Sequence, residues 1–261
     1  MSPTFWRRWL RDQGQCRIRS PLAKLLARGE TKADSPRTSR LAQTRHCMAD
    51  IKFDFDGPKK APLTIVLAPA SGQSLKVEFM AHFAEALGNV GLRVARFNFP
   101  YMAERDTTGR RRAPDGEPVL HDTWRQVIAQ LGAEKLFIGG KSQGGRTAAA
   151  VADECGVGGV VCLGFPFHST GKPDQYDLTP LDTIQTPTLL MQGEWDTFGD
   201  RGEVQSYTLS PQVQLKWMKE GDHSFQPPKE SKRTREENWD IAARLIGRFI
   251  MEVTGVELAV K

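Results

Sequence analysis

From Ile51 onward the chain alternates apolar runs of four to six residues with stretches of helical period, and this alternation restricts the fold more than any other feature. The runs are Leu63 to Leu67, Val94 to Phe99, Leu136 to Gly139, Val160 to Leu163, Thr188 to Gln192 and Val213 to Met218. Short continuous apolar runs suit strands covered on both faces, and helices between them suit the crossovers of a parallel sheet. Ile51-Lys52-Phe53-Asp54-Phe55 alternates at period two instead and reads as an edge strand. Helices are expected at Phe79, Phe83, Ala86 and Leu87 (stopping near Gly88 and Gly91), at Trp124 to Leu131, at Gln143 to Ala152 and at Glu236 to Met251. Arg110 to Gly116 reads as a polar loop, and no internal repeat is visible. The expectation is an α/β fold, a mostly parallel sheet flanked by helices.

The charge is unevenly spread. Residues 1–47 carry 11 Lys and Arg against 3 Asp and Glu, whereas the remainder carries 25 against 28. The formal charge of +5 therefore belongs to the N-terminal segment, and the body is mildly acidic. That argues against nucleic acid as the partner of residues 48–261. Trp6-Arg7-Arg8-Trp9 lacks the apolar stretch of a secretory signal. Residues 1–47 read as a basic disordered extension, as an Arg-rich targeting segment, or as codons upstream of a true start at Met48. The folded domain is placed at 48–261. No apolar run approaches the ~20 residues that cross a bilayer. Cys16, Cys47, Cys155 and Cys162 form neither a CxxC pair nor a dense framework, so a structural metal site is not expected and a cytoplasmic location is.

Gly140-Lys141-Ser142-Gln143-Gly144 matches G-x-S-x-G between an expected strand and an expected helix. At such a turn the serine backbone is strained and its hydroxyl stands above the sheet edge. Glycines two residues before and after avoid collision with the turn, and Gly145, Ala148, Ala149 and Ala152 let the helix lie close to the sheet. The plainer reading is a tight strand–helix turn whose serine caps the helix.

A serine hydroxyl needs a base to take its proton, and the base needs an acid to orient it. Thr188 to Gln192 leads into Gly193-Glu194-Trp195-Asp196, and Val213 to Met218 leads into Gly221-Asp222-His223, so both groups follow strands at the same sheet edge as Ser142. The chain order Ser142, Asp196, His223 is the one this turn calls for. Of the five histidines only His223 follows the acid, with Glu194 and Asp200 as alternatives to Asp196. Backbone N–H groups of Gln143 and of Ala70 or Ser71 are expected to form an oxyanion hole. Arg96, His168 and Lys141 are candidate substrate contacts; Arg96, Lys141 and Arg110 to Arg112 are also a source of attraction for an anionic acyl group. No cofactor motif competes for this space.

Leu67 to Gly72, Arg96 to Met102, Phe137 to Arg146, Cys162 to His168, Gln192 to Asp196 and Gly221 to Phe225 together resemble one α/β-hydrolase family. It contains the third subunit of the NSL histone-acetyltransferase complex, a testis-expressed relative and many bacterial proteins, and is distantly similar to dienelactone hydrolase. The resemblance spans roughly Leu63 to Ile250 and implies the α/β-hydrolase fold, with Ser142, Asp196 and His223 at the triad-like positions. Trp195 and Thr197 stand where relatives often carry a basic residue and a proline, and Gln143 where methionine is common. Members are mostly named for their fold, and the eukaryotic subunit is regarded as a scaffold. Two functions follow: a serine hydrolase acting on a small ester, thioester or related acyl substrate, or a non-catalytic module for a protein partner. Gly164 to Thr186 is short and rich in Pro, Gly and Asp, which leaves room for only a minimal cap.

Because the charge break and the first periodic apolar residues both fall after residue 47, a chain starting at Met48 should melt within a few degrees of the full chain. A midpoint lowered by more than ~8 °C in calorimetry, over roughly 2 kcal/mol for a domain this size, would reveal a packed N-terminal segment.

Overall fold

A computed structural model describes residues 51–259; the readings made for residues 1–47 and for a start at Met48 lie outside them. The strands are β1 (Phe53–Asp56), β2 (Thr64–Ala68), β3 (Arg93–Phe97), β4 (Leu136–Lys141), β5 (Gly159–Leu163), β6 (Thr188–Gly193) and β7 (Val213–Met218). They form one sheet in the order β1-β3-β2-β4-β5-β6-β7. β1 pairs antiparallel with β3, and every other pairing is parallel. The helices are α1 (Glu78–Asn89), α2 (Pro100–Thr108), α3 (Glu117–Leu131), α4 (Gln143–Cys155), α5 (Arg201–Val204) and α6 (Arg235–Thr254).

Period-two alternation within the inner strands sends side chains into two separate cores. Ile65 and Leu67 of β2, Phe137 of β4, and Val161 and Leu163 of β5 join α1 and α6 on one face. Val66, Ile138, Val160 and Cys162 join α3 and α4 on the other. Because β2 to β7 run parallel, their C-terminal ends open on one edge, and the loops after β2, β4, β6 and β7 meet there.

Two elements differ from the sequence reading. The run Val94 to Phe99 stops at Phe97, and the chain turns into α2, which was not anticipated. Pro100 starts that helix, where its missing N–H costs nothing, but only Tyr101 and Met102 of its nine residues are buried, too few for a stripe. Helix α3 begins at Glu117 rather than near Trp124, because Gly116 and Pro118 set its start a full two turns before the apolar face becomes dense.

Trp124 is wholly buried and packs edge-on against Phe97, and its indole N–H donates to Thr147 Oγ1 at 3.1 Å, tying α3 to α4. Trp124→Ala should therefore cost about 3–5 kcal/mol in urea unfolding. Thr147→Val, which strands a buried donor, should cost about 1–3 kcal/mol.

Candidate active site

Lys141 ends β4 and Gln143 begins α4, so a single residue, Ser142, makes the reversal at φ 52 and ψ −118. A non-glycine residue in such a region costs of order 1–3 kcal/mol. The surrounding backbone holds it: Ser142 N–H donates to the Leu163 carbonyl at 3.0 Å, and its own carbonyl accepts from Arg146 N–H at 3.0 Å. The seryl side chain makes no capping bond to α4. The flanking glycines are needed for close approach. A Cβ on Gly140 or Gly144 would sit 2.0 or 2.3 Å from the Ala68 carbonyl oxygen, which places the end of β2 directly against this turn.

Asp196 is 1% exposed in the turn after β6. Its Oδ1 accepts from Phe198 N–H at 2.9 Å, and its Oδ2 accepts from Gln192 Nε2 at 2.9 Å and faces His223 Nδ1 at 2.7 Å. With Nδ1–H donating to the carboxylate, the neutral imidazole presents Nε2 as a proton acceptor. The loop bearing His223 leaves β7 and reaches back across the strand ends. A Cβ on Gly164, just past β5, would lie 2.7 Å from the His223 carbonyl oxygen and 3.3 Å from its Nδ1. Beyond it, Lys141 Nζ donates to the same carbonyl at 2.5 Å. The histidine loop is thus anchored to the residue next to Ser142. Asp196 and His223 are joined directly, and among the described residues no hydrogen bond links Ser142 Oγ to His223; Lys141 and Leu163, which contact the histidine loop or the serine, flank this region.

Burial holds the His223 pKa below its ordinary 6.5; the bond to Asp196 opposes this and the Lys141 charge adds to it. Lys141 is lowered to about 7 by burial, against the favourable pull of Asp196 and Asp222, with Phe79 beneath its ammonium at 5.7 Å. Glu194 and Asp200, the other acids considered, are committed elsewhere. Glu194 accepts from Arg201 and from Glu220 N–H, and Asp200 caps α5.

Gln143 N–H, Ala70 N–H and Ser71 N–H have no acceptor among the described residues. The Ala68 and Pro69 carbonyls lie against Gly144, so the loop carrying Ala70 and Ser71 starts beside this turn. Three side chains clamp that loop: Tyr101 hydroxyl accepts from Gly72 N–H at 2.8 Å, Asn98 Oδ1 from Leu75 N–H at 2.7 Å, and Arg96 Nη1 donates to Leu75 O at 3.0 Å. None of the three was assigned this role from sequence, although all lie in the stretch Arg96 to Met102 that carried the family resemblance.

The three candidate substrate contacts all have protein partners in this structure. Arg96 pairs with Asp56 at 2.9 Å on the sheet edge, and Lys141 is 2% exposed and turned inward. His168 is buried with its ring between the Ser169 carbonyl and Glu203. Burial depresses the His168 pKa, but those two partners hold it above the ordinary value. The segment Gly164 to Thr186 adds only a single turn of 3-10 helix, Pro173–Gln175, over this edge. Among the described residues there is no cluster of metal-ligating side chains and no helix long and apolar enough to cross a membrane.

A parallel sheet with this turn at its C-terminal edge defines the α/β-hydrolase class. Residues 61–251 match the family model described as an alpha/beta hydrolase domain, and the chain belongs to that family. No curated protein matches it by sequence. Among solved structures it is similar to an α/β serine hydrolase without lid from Xanthomonas campestris, at 19% identity and TM-score 0.55 over 81% of this chain and 91% of that one. It is similar to dienelactone hydrolase from Anabaena variabilis at 21% identity and TM-score 0.56, over 77% and 91%. The esterase domain of a Rhodothermus marinus protein aligns at 15% identity and TM-score 0.54, over 77% and 92%.

The buried ammonium of Lys141 gives a pH test of this arrangement. Its folded pKa is depressed, so between about pH 7 and 10 the unfolded chain binds the proton that the folded chain has lost, and stability rises with pH. Relative to Lys141→Met, the wild type should gain roughly 2 kcal/mol between pH 7 and 9 in chemical unfolding. A constant difference would mean that the ammonium is not desolvated.

Proposed function

We propose that this protein is a serine hydrolase that cleaves a small ester, thioester or related acyl substrate through an acyl-enzyme. The observation that carries the reading is the Asp196–His223 bond at 2.7 Å on a loop anchored beside a serine whose φ is 52. In this reading Ser142 Oγ attacks the acyl carbonyl and His223 Nε2 takes the hydroxyl proton. The carbonyl oxygen becomes an oxyanion against the N–H groups of Gln143 and of Ala70 or Ser71. Collapse of the tetrahedral intermediate expels the alcohol or thiol, which leaves with the proton from His223. Water then repeats the sequence and frees the acid, with His223 as base and then acid.

The domain is assigned to residues 48–261, cytoplasmic on the sparse cysteine pattern, and akin to the branch that includes the NSL-complex subunit on the stretches quoted above. That scaffold subunit supplies the competing reading. A scaffold has no physical need for a strained serine or for a buried acid aligned on a histidine, which favours catalysis.

A fluorophosphonate should label Ser142 of the wild type, and Ser142→Ala should abolish labelling. His223→Ala should slow it by roughly 10³-fold or more, and Asp196→Asn by less than either, because the acid orients the base without taking the proton. Labelling should rise with pH and reach half its maximum below pH 6.5, since burial keeps His223 in its accepting form. If folded protein takes up no label at Ser142 between pH 6 and 9, the hydrolase reading fails and the scaffold reading replaces it.

A further inference from the structure

The oxyanion loop has a second neighbour. Gly72, Tyr101, Met102, Arg105, Arg111, Arg112 and Pro114 enclose a cavity of about 110 Å³. Liquid water takes about 30 Å³ per molecule, so the space corresponds to three or four waters. Three guanidinium groups converge on it, and no carboxylate lines it.

The three arginines are not equivalent. Arg112 is held by Glu104 at 2.7 Å and by Asp115 at 2.5 Å, and Asp115 Oδ2 also accepts from Tyr101 N–H. Arg112 is therefore a neutralised wall that fixes the 110–116 loop to the start of α2. Arg105 and Arg111 have no ion-pair partner among the described residues. Arg105 is half-buried on the last turns of α2, and Arg111 is exposed at the rim. Two guanidinium groups without ion-pair partners among the described residues line one small space, and the planar guanidinium fork matches a carboxylate. The Tyr101 ring, Met102 and Pro114 supply an apolar wall beside the charges, which suits a carboxylate carried on methylene groups.

Position relates this cavity to the reacting centre. Ala68 O touches the turn that bears Ser142, and Gly72 is four residues further along the chain. An extended chain advances at most ~3.6 Å per residue, so the cavity wall at Gly72 lies within about 14 Å of that contact. Tyr101 lines the cavity, and its hydroxyl accepts from Gly72 N–H, which holds the loop after β2 against that cavity.

We propose that this cavity is a carboxylate subsite and that the preferred substrates are esters or thioesters whose acyl chain ends in a carboxylate. The inference rests on the serine hydrolase reading. It keeps Arg111 from the sequence expectation and adds Arg105, whereas Arg96 and Lys141 are engaged by protein partners.

The test compares 4-nitrophenyl half esters of adipic and suberic acid with the hexanoate and octanoate esters, which differ only in the terminal group. The wild type should favour at least one half ester over its neutral counterpart by tenfold or more in kcat/KM, and added salt should shrink that preference. The double variant Arg105→Gln, Arg111→Gln should bring the ratio to within about twofold of one by losing activity on the half ester. It should keep its rate on the neutral ester and its fluorophosphonate labelling at Ser142. A wild type that labels at Ser142 but shows no preference for either half ester, or a labelling-competent variant that keeps the preference, overturns the subsite alone. Absence of labelling in the folded wild type overturns the hydrolase reading and the subsite with it.

Discussion

The reversal from β4 into α4 is completed in one residue, and the rest of the site depends on that constraint. Ser142 takes up φ 52 because strand and helix on either side leave no other path, and the end of β2 closes against the turn where glycines 140 and 144 admit it. Strain at one residue is tolerable when its neighbours are determined by burial elsewhere. Here β4 is fully buried between β2 and β5, and Ala148, Ala149, Val151 and Ala152 of α4 are packed into the core on one face of the sheet. The same closeness sets the start of the loop after β2, at Ala68 and Pro69, against the first turn of α4 at Gly144.

Electrostatics at this edge is a balance among groups that cannot all be charged. Lys141 is buried and His223 partly buried here, and the Lys141 charge helps to hold the imidazole pKa below its ordinary value. The carboxylate accepts hydrogen bonds from Gln192 Nε2 and from Phe198 N–H, which satisfy its oxygens while it is buried. Lysine gains less: one carbonyl, an aromatic face and two carboxylates at longer range do not offset its desolvation, and its pKa falls to about 7. Imidazole, burdened by burial and by the lysine although held by Asp196, has its pKa lowered from the ordinary 6.5. Lys141 thus links two tasks, anchoring the His223 carbonyl and biasing the ring it anchors.

Gln192 shows how much of the site is organised from inside the sheet. Its amide accepts from Phe165 N–H and donates to the carbonyls of Phe165 and Gly199 and to Asp196, so one buried side chain at the end of β6 orients both the loop after β5 and the acid. On the other side of the turn, Arg96, Asn98 and Tyr101 hold the loop after β2 from β3 and α2. Side chains on neighbouring elements thus constrain both flanking loops, which explains how irregular backbone at the edge keeps a defined geometry under a covering segment as short as Gly164 to Thr186.

The parts legible in the sequence are those governed by local periodicity and by backbone sterics. Strands such as Leu63 to Leu67 and Val213 to Met218 declare themselves because burial on both faces demands uninterrupted apolar residues, and they fall within a residue of β2 and β7. The turn at Ser142 declares itself because only glycine fits two residues away on either side. The order of serine, acid and histidine also follows from the chain, since a parallel sheet returns every strand end to one edge. Side-chain direction is a different matter. Nothing local distinguishes an arginine or lysine that faces a ligand from one that faces a carbonyl, so Lys141 and Arg96 read as substrate contacts until packing turned them inward. Helix α2 leaves little trace in the sequence because it buries only two residues, yet it carries Tyr101 and Arg105 to the loop after β2. Those assignments depend on contacts between residues 21 to 82 positions apart, and only the folded chain decides which of many such pairs is made.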